Sequence, residues 1–124
     1  MVKKVNVEGL DAFRAKIKEY EKTDYLYAYF SGSKGEDGKS WCPDCVAAEP
    51  VVEKHLASAP EDAVFIYCSV GERNFWKDQN NGFRKDPTLR LTGVPTLLRV
   101  GKPQKLVEGE LMKDDLVKMF FEED

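Results

Sequence analysis

Cys42 and Cys45 stand three positions apart in the stretch WCPDC, behind a run of glycines and charges, SGSKGEDGKS. Where such a pair opens a helix, both sulfurs lie on one face with Cα atoms about 5–6 Å apart, inside the range a disulfide spans. The pair then closes and opens without rebuilding the helix. Pro43 suits the first helical position, where its missing N–H costs nothing, and it stiffens the dithiol. Unpaired N–H groups and the positive end of the helix dipole favour a thiolate at Cys42, since thiols so placed ionise at about 3.5–7.5 instead of about 8.5. Cys42 is the expected nucleophile. Cys45, deeper in the helix, is the expected resolving thiol, placed to attack a mixed disulfide formed on Cys42. Asp44 suits the helix start but sits close enough to oppose the Cys42 thiolate, so Pro43 and Asp44 both tune the pair. Trp41, directly before the nucleophile, shapes the surface that meets a substrate.

The same spacing is half of many zinc sites, which need two further ligands. Cys68 and His55 are the candidates. His55 follows Cys45 by ten residues on one helix, about 15 Å at ~1.5 Å per residue, too far to share a metal with bonds of ~2 Å. A zinc site within the chain fails on that geometry, and a cluster shared between two chains stays open as a minor alternative. A permanent disulfide staple suits neither a reducing compartment nor a domain of this size. Cys68, inside an apolar run, reads as a small buried hydrophobe, and His55 as a solvated helix residue.

The elements that must position these residues follow from periodicity. VKKVNVE (2–8) reads as a strand, and Leu10, Phe13, Ile17 and Tyr20 recur at helical spacing. YLYAYFS (25–31) and AVFIYCSV (63–70) are nearly continuous apolar runs, the pattern of strands covered on both faces. Residues 42–59 between them form the crossover helix that parallel strands require, with a bend expected one turn before Pro50. The polar stretch 71–93 reads as short helical pieces and loop anchored by Phe75, Trp76 and Phe83. VPTLLRVG (94–101) and QKLVEGE (104–110) read as a hairpin, followed by a helix with Met112, Leu116 and Phe120 on one face and an acidic EED end. Strands alternating with helices, then a hairpin and a closing helix, imply an α/β fold with a mixed central sheet and helices on both faces, as one domain over residues 1–124. With 22 acidic and 19 basic residues the net charge is −3, and no basic stripe offers a nucleic-acid footprint. No apolar run approaches the ~20 residues that cross a bilayer. The charged N-terminus lacks the apolar stretch of ~7–15 residues of an export signal, so a cytoplasmic, reducing location is expected.

WCPDC at 41–45, Pro50 eight residues after the first cysteine, and GVPTLL at 93–98 together resemble the thioredoxin-fold family, along nearly the whole chain. The combination of GKSWCPDC, AEPVVE, VFIYC, FWKDQNNGFRK and VPTLL is most similar to its small cytosolic thioredoxin-related branch. That resemblance implies a monomeric disulfide reductase with no bound cofactor, recharged by thioredoxin reductase with electrons from NADPH. It implies small disulfides such as cystine, and protein and peptide disulfides including that of the dynein light chain LC8, as substrates. It also implies a cis Pro95 facing Cys42, with the Val94 backbone free to pair with a substrate strand. Two departures from the family pattern stand out. The buried acid that usually serves the resolving thiol aligns with Ala28, which leaves Asp44 or a bound water as the expected substitute. The loop 31–39 is longer than thioredoxin's, and its glycines and charges are the expected source of mobility and of narrowed substrate choice. Three classes stay open on these residues: a disulfide reductase, a redox-switched interaction module without significant turnover, and an oxidase or isomerase of the protein-folding pathway. The complete WCPDC with the Pro95 candidate argues against a purely binding module, and the lack of an export signal argues against the folding pathway.

Overall fold

The computed structural model describes residues 2–122. The acidic end lies in part outside the described residues, at Glu123 and Asp124. In chain order the elements are β1 (Lys3–Glu8), α1 (Leu10–Glu19), β2 (Leu26–Ser31), α2 (Pro43–Leu56), β3 (Val64–Ser69), α3 (Arg73–Lys77), α4 (Gly82–Lys85), β4 (Thr96–Arg99), β5 (Lys105–Val107), a 3₁₀ turn (Glu108–Met112) and α5 (Asp114–Glu122). The strands lie in the order β1-β3-β2-β4-β5. β1 and β2 run parallel to β3, while β4 runs antiparallel to both β2 and β5. This is the mixed α/β sheet that the alternating pattern implies.

β2 sits at the centre because its six residues can all be buried, and all six are. Its side chains alternate between two cores, as a pleated strand requires. Ala28 and Phe30 join Phe13, Ile66 and Cys68 under α1, with the Phe13 ring edge-on to Phe30 at 5.0 Å. Tyr27 and Tyr29 join Val52, Leu56 and Phe121 under α2 and α5, with the Tyr27 and Phe121 ring centroids 5.1 Å apart. Burying such rings contributes roughly 1.5–3 kcal/mol each, so the sheet centre is held from both sides at the level where α2 begins.

Several sequence expectations are corrected. α2 stops at Leu56, with Ala57 as its C-cap, instead of reaching residue 59. His55 is not a solvated residue, since its side chain is only 12% exposed and Nε2 lies 2.7 Å from Asp114 Oδ1. Met112 belongs to the 3₁₀ turn and is exposed; the buried face of α5 is Val117, Phe120 and Phe121. Phe75 is 51% exposed, so Trp76 and Phe83 anchor the polar stretch without it. The hairpin strands are shorter than 94–101 and 104–110, and β5 ends where Glu108 adopts a left-handed φ of 49° and the 3₁₀ turn starts.

The loop between α4 and β4 is fixed by one carboxylate. Asp86 accepts hydrogen bonds from the Thr88 hydroxyl at 2.6 Å, Thr88 N at 2.8 Å, Leu89 N at 3.2 Å and Arg14 Nη2 at 2.9 Å. Burial alone would raise its pKa, but these donors outweigh burial and hold it down to about 2. A carboxyl with a depressed folded-state pKa stabilises the fold above its unfolded value, and that contribution fades as pH falls toward 2. Asp86→Ala is expected to cost about 2–3 kcal/mol, the scale for removing a buried charged acceptor. Denaturant titration at neutral pH reads this loss directly, and the gap to the unmodified protein should narrow on acidification. An unchanged midpoint would show that the loop is held elsewhere.

Candidate active site

Cys42 is the N-cap of α2, with extended φ and ψ of −93° and 109°, and Pro43 is the first helical residue. The Cys42 sulfur accepts a hydrogen bond from Cys45 N at 3.2 Å, doing what a Ser or Asp oxygen does at other helix starts. Its thiol faces Val94 O at 3.6 Å, and Cys42 N donates to Ser40 Oγ at 3.1 Å. Cys45 lies below it, 1% exposed against 5% for Cys42. All three cysteines are free.

The Val94–Pro95 peptide bond is cis. Its loop is pinned on both sides: Thr96 Oγ1 donates to Gly93 O at 2.7 Å, and Glu108 N donates to Pro95 O at 2.7 Å. The Glu108 carboxylate occupies the space a side chain at residue 93 would need, which accounts for Gly93. Trp41 is half-buried, and its indole N–H donates to Gly71 O at 2.9 Å. The ring lies so close to Gly32 that a Cβ there would sit 2.6 Å from it. Trp41, Cys42, Pro43, Asp44 and Val94 line one open groove of about 480 Å³. Cys68 is remote from it, on the α1 face of β3, with its sulfur 3.9 Å from Gly9 O.

Ala28 is fully buried and brings no acid to the dithiol. The loop before Trp41 carries hydrogen bonds of its own. Lys34 bridges Ser40, Gly35 N donates to Lys39 O at 3.0 Å, and Gly38 N donates to Gly35 O at 3.0 Å. Lys34 also pairs with Glu49 of α2 at 3.1 Å. Sequence reasoning missed the basic wall of the groove, Arg73, Lys77 and Arg84. Those residues fall in a stretch without periodicity, and what places Arg84 is its stacking 4.2 Å above the Trp76 ring and its Nε bond to Trp76 O at 3.0 Å.

Residues 6–123 match the model of the thioredoxin domain-containing protein 17-like thioredoxin domain. The chain belongs to that family. It is 59% identical over 120 residues to thioredoxin domain-containing protein 17 of Danio rerio and 58% identical over 120 residues to that of Epinephelus coioides, covering 97% of this chain and 95% of each relative. The protein of the same name from Homo sapiens is 54% identical over 121 residues, with 97% of this chain and 95% of the relative covered.

Within this thioredoxin domain-containing protein 17-like site the two thiols are strongly differentiated. A hydrogen bond from the Cys45 thiol, helped by the backbone N–H groups of Cys45 and Asp44, outweighs burial and the Asp44 carboxylate and lowers the Cys42 pKa to about 7. The same bond and burial hold Cys45 protonated, well above the usual thiol range. Cys68 is pushed up to about 12 by burial. The helix start therefore favours the thiolate at Cys42 and keeps the proton on Cys45. Among the described residues no group of three or more His, Cys, Asp or Glu side chains is arranged to hold a metal ion, and no helix is long and apolar enough to cross a membrane.

Proposed function

We propose that this chain is a cytosolic thiol-disulfide oxidoreductase that reduces selected protein, peptide and small-molecule disulfides, cystine and the dynein light chain among them. Thioredoxin reductase, drawing on NADPH, returns it to the dithiol. The observation that carries the reading is the Cys42 sulfur held by the Cys45 N–H at 3.2 Å at the mouth of an open groove, with Cys45 directly behind it. The Cys42 thiolate attacks a substrate sulfur and expels the other as a thiolate, leaving a mixed disulfide. Cys45 then attacks Cys42, which closes the Cys42–Cys45 bond and releases the second substrate thiolate. Val94 and Trp41 form the walls against which a substrate strand lies, and Pro95 sets the turn that aims the Val94 carbonyl at Cys42.

The test is NADPH consumption with thioredoxin reductase and cystine. Steady turnover, dependent on the protein, is the expected result. Full oxidation and reduction of the dithiol in one cycle without turnover would instead identify a redox-switched interaction module.

Asp44 tunes the couple in a definite direction. Its carboxylate raises the Cys42 pKa, against its own backbone N–H, which lowers it. Asp44→Asn keeps the N–H and removes the charge, so it should favour the thiolate by up to about 1 kcal/mol at this partly exposed site. A stabilised thiolate stabilises the reduced form and raises the reduction potential by about 20 mV. Equilibration against a glutathione buffer measures it. A more reducing potential in Asp44→Asn would mean that the side chain acts through the helix start and not through charge.

A further inference from the structure

The groove beside Cys42 has a smaller counterpart that meets Cys45. It is a cavity of about 50 Å³ whose walls include Ser31, Lys34, Cys45, Glu49 and Tyr67, room enough for water where a probe sphere needs only about 10–15 Å³. Each wall has a local origin. Ser31 ends β2 on the same face as Tyr27 and Tyr29, and it is 1% exposed. Tyr67 pairs in register with Tyr29 on β3, which places it diagonal to Ser31. Glu49 follows Cys45 by one turn of α2 on the same face. Lys34 caps the cavity, 3.1 Å from Glu49 Oε1 and 5.4 Å above the Tyr67 ring.

Several charged and titratable groups surround Cys45. Tyr29 donates its hydroxyl to Cys45 O at 3.3 Å, and burial holds both it and Tyr67 protonated. Lys34 and Lys39 carry cations. Cys42 is the partner sulfur. Asp44 lines the groove on the other side of the pair. That leaves Glu49 as the carboxylate on the cavity wall, 35% exposed and so able to pass a proton to solvent. Ser31 shares the cavity wall with Cys45 and Tyr67, its hydroxyl donates to Gly32 O at 3.4 Å, and its presence favours the ionised form of Cys45.

We propose that Ser31 and Glu49, joined through this cavity, take the proton from Cys45 as it attacks the mixed disulfide, in place of the buried acid absent at Ala28. The inference rests on Cys42 as nucleophile and Cys45 as resolving thiol. The Cys45 S–H gives its proton to the Ser31 oxygen while the Ser31 hydroxyl proton passes to water held in the cavity and that water gives a proton to the Glu49 carboxylate. The Cys45 sulfur bonds to the Cys42 sulfur, and the bond from Cys42 to the substrate breaks with its electron pair leaving on the substrate thiolate. The dithiol is thereby oxidised by two electrons, the substrate disulfide is reduced, and Glu49 releases the proton to water. Ser31, on the cavity wall with Cys45, is the group assigned to receive the proton first. Glu49 acts through it.

Rapid mixing of the reduced protein with dithiobis(nitrobenzoate) separates the steps, since attack by Cys42 releases one coloured thiolate and closure by Cys45 releases the second. Ser31→Ala and Glu49→Gln should leave the first phase within about twofold and slow the second at least about tenfold, the low end of a general-base contribution. The pH profile distinguishes a lost relay from disturbed packing. In the unmodified protein the second phase should be nearly flat from roughly pH 6 to 8, whereas without the relay it should rise about tenfold per pH unit, because Cys45 must then ionise to solvent. A second phase unchanged in rate and slope in both variants overturns the relay while leaving the nucleophile assignment intact. So does a slope that changes in Asp44→Asn and not in Glu49→Gln. Absence of the first phase from the unmodified protein would overturn the parent reading, and the relay with it. Should Ser31→Ala fail to fold, Glu49→Gln, on the helix surface, decides the matter alone.

Discussion

Cys42→Ser is expected to abolish NADPH-coupled disulfide reduction, while Cys45→Ser holds a substrate protein as a covalent adduct that added thiol releases. Loss of the nucleophile removes the first step altogether, because a serine hydroxyl at this pH offers no anion to attack sulfur. In Cys45→Ser the backbone N–H of residue 45 still points at Cys42, as it does at 3.2 Å in the native chain. The new hydroxyl can also donate where the thiol did, so the Cys42 thiolate persists and the mixed disulfide forms. Its resolution then lacks the sulfur that would close the ring. Non-reducing electrophoresis after incubation with a disulfide-containing protein reads the adduct. Trapping by Cys42→Ser in place of Cys45→Ser would reverse the two roles.

Alkylation should separate the thiols by an even larger factor. The Cys42 pKa of about 7 means that its labelling rate climbs as pH rises through neutrality, reaches half its plateau near pH 7 and then levels off. Cys68, at about 12 and fully buried, keeps so little thiolate at neutral pH that its rate should trail by a factor of roughly 10⁴ or more. Mass spectrometry after brief exposure to limiting iodoacetamide checks both statements. Early labelling of Cys68 would show that the α1 face opens, and it would make that thiol a candidate for regulation.

The central strands, the helix carrying the dithiol and the order of the elements were legible in the sequence because each is written in local patterning. Residues 25–30 are apolar and aromatic without interruption, and WCPDC places a proline where a helix start favours it. What stayed hidden depends on partners distant in the chain. His55 looks like an ordinary helix residue until Asp114 reaches it from α5. Phe75 and Phe83 are equally aromatic, yet α4 turns Phe83 against Phe30, at 6.0 Å between ring centroids, while Phe75 stays at the surface. The basic wall of the groove depends on stacking between Arg84 and Trp76, and Ser31 is visible only once β2 and β3 are in register. A serine at the end of an apolar run carries no signal of its own.

The position of β2 bears on how the chain assembles as it is made. It is the middle strand, yet the two strands that bond to it, β3 and β4, are both encoded after it. A nascent chain therefore exposes the apolar segment 25–31 from the ribosome before either neighbour has emerged to cover its N–H and C=O groups. β1, already emerged, cannot help, because it joins the sheet through β3. Such non-local pairing slows folding and prolongs exposure of a sticky strand. The interval between emergence of residue 31 and emergence of residue 69 is thus when this strand is most open to aggregation. The dithiol at the head of α2 emerges within that same interval, before the strands that bury Cys45 have closed around it.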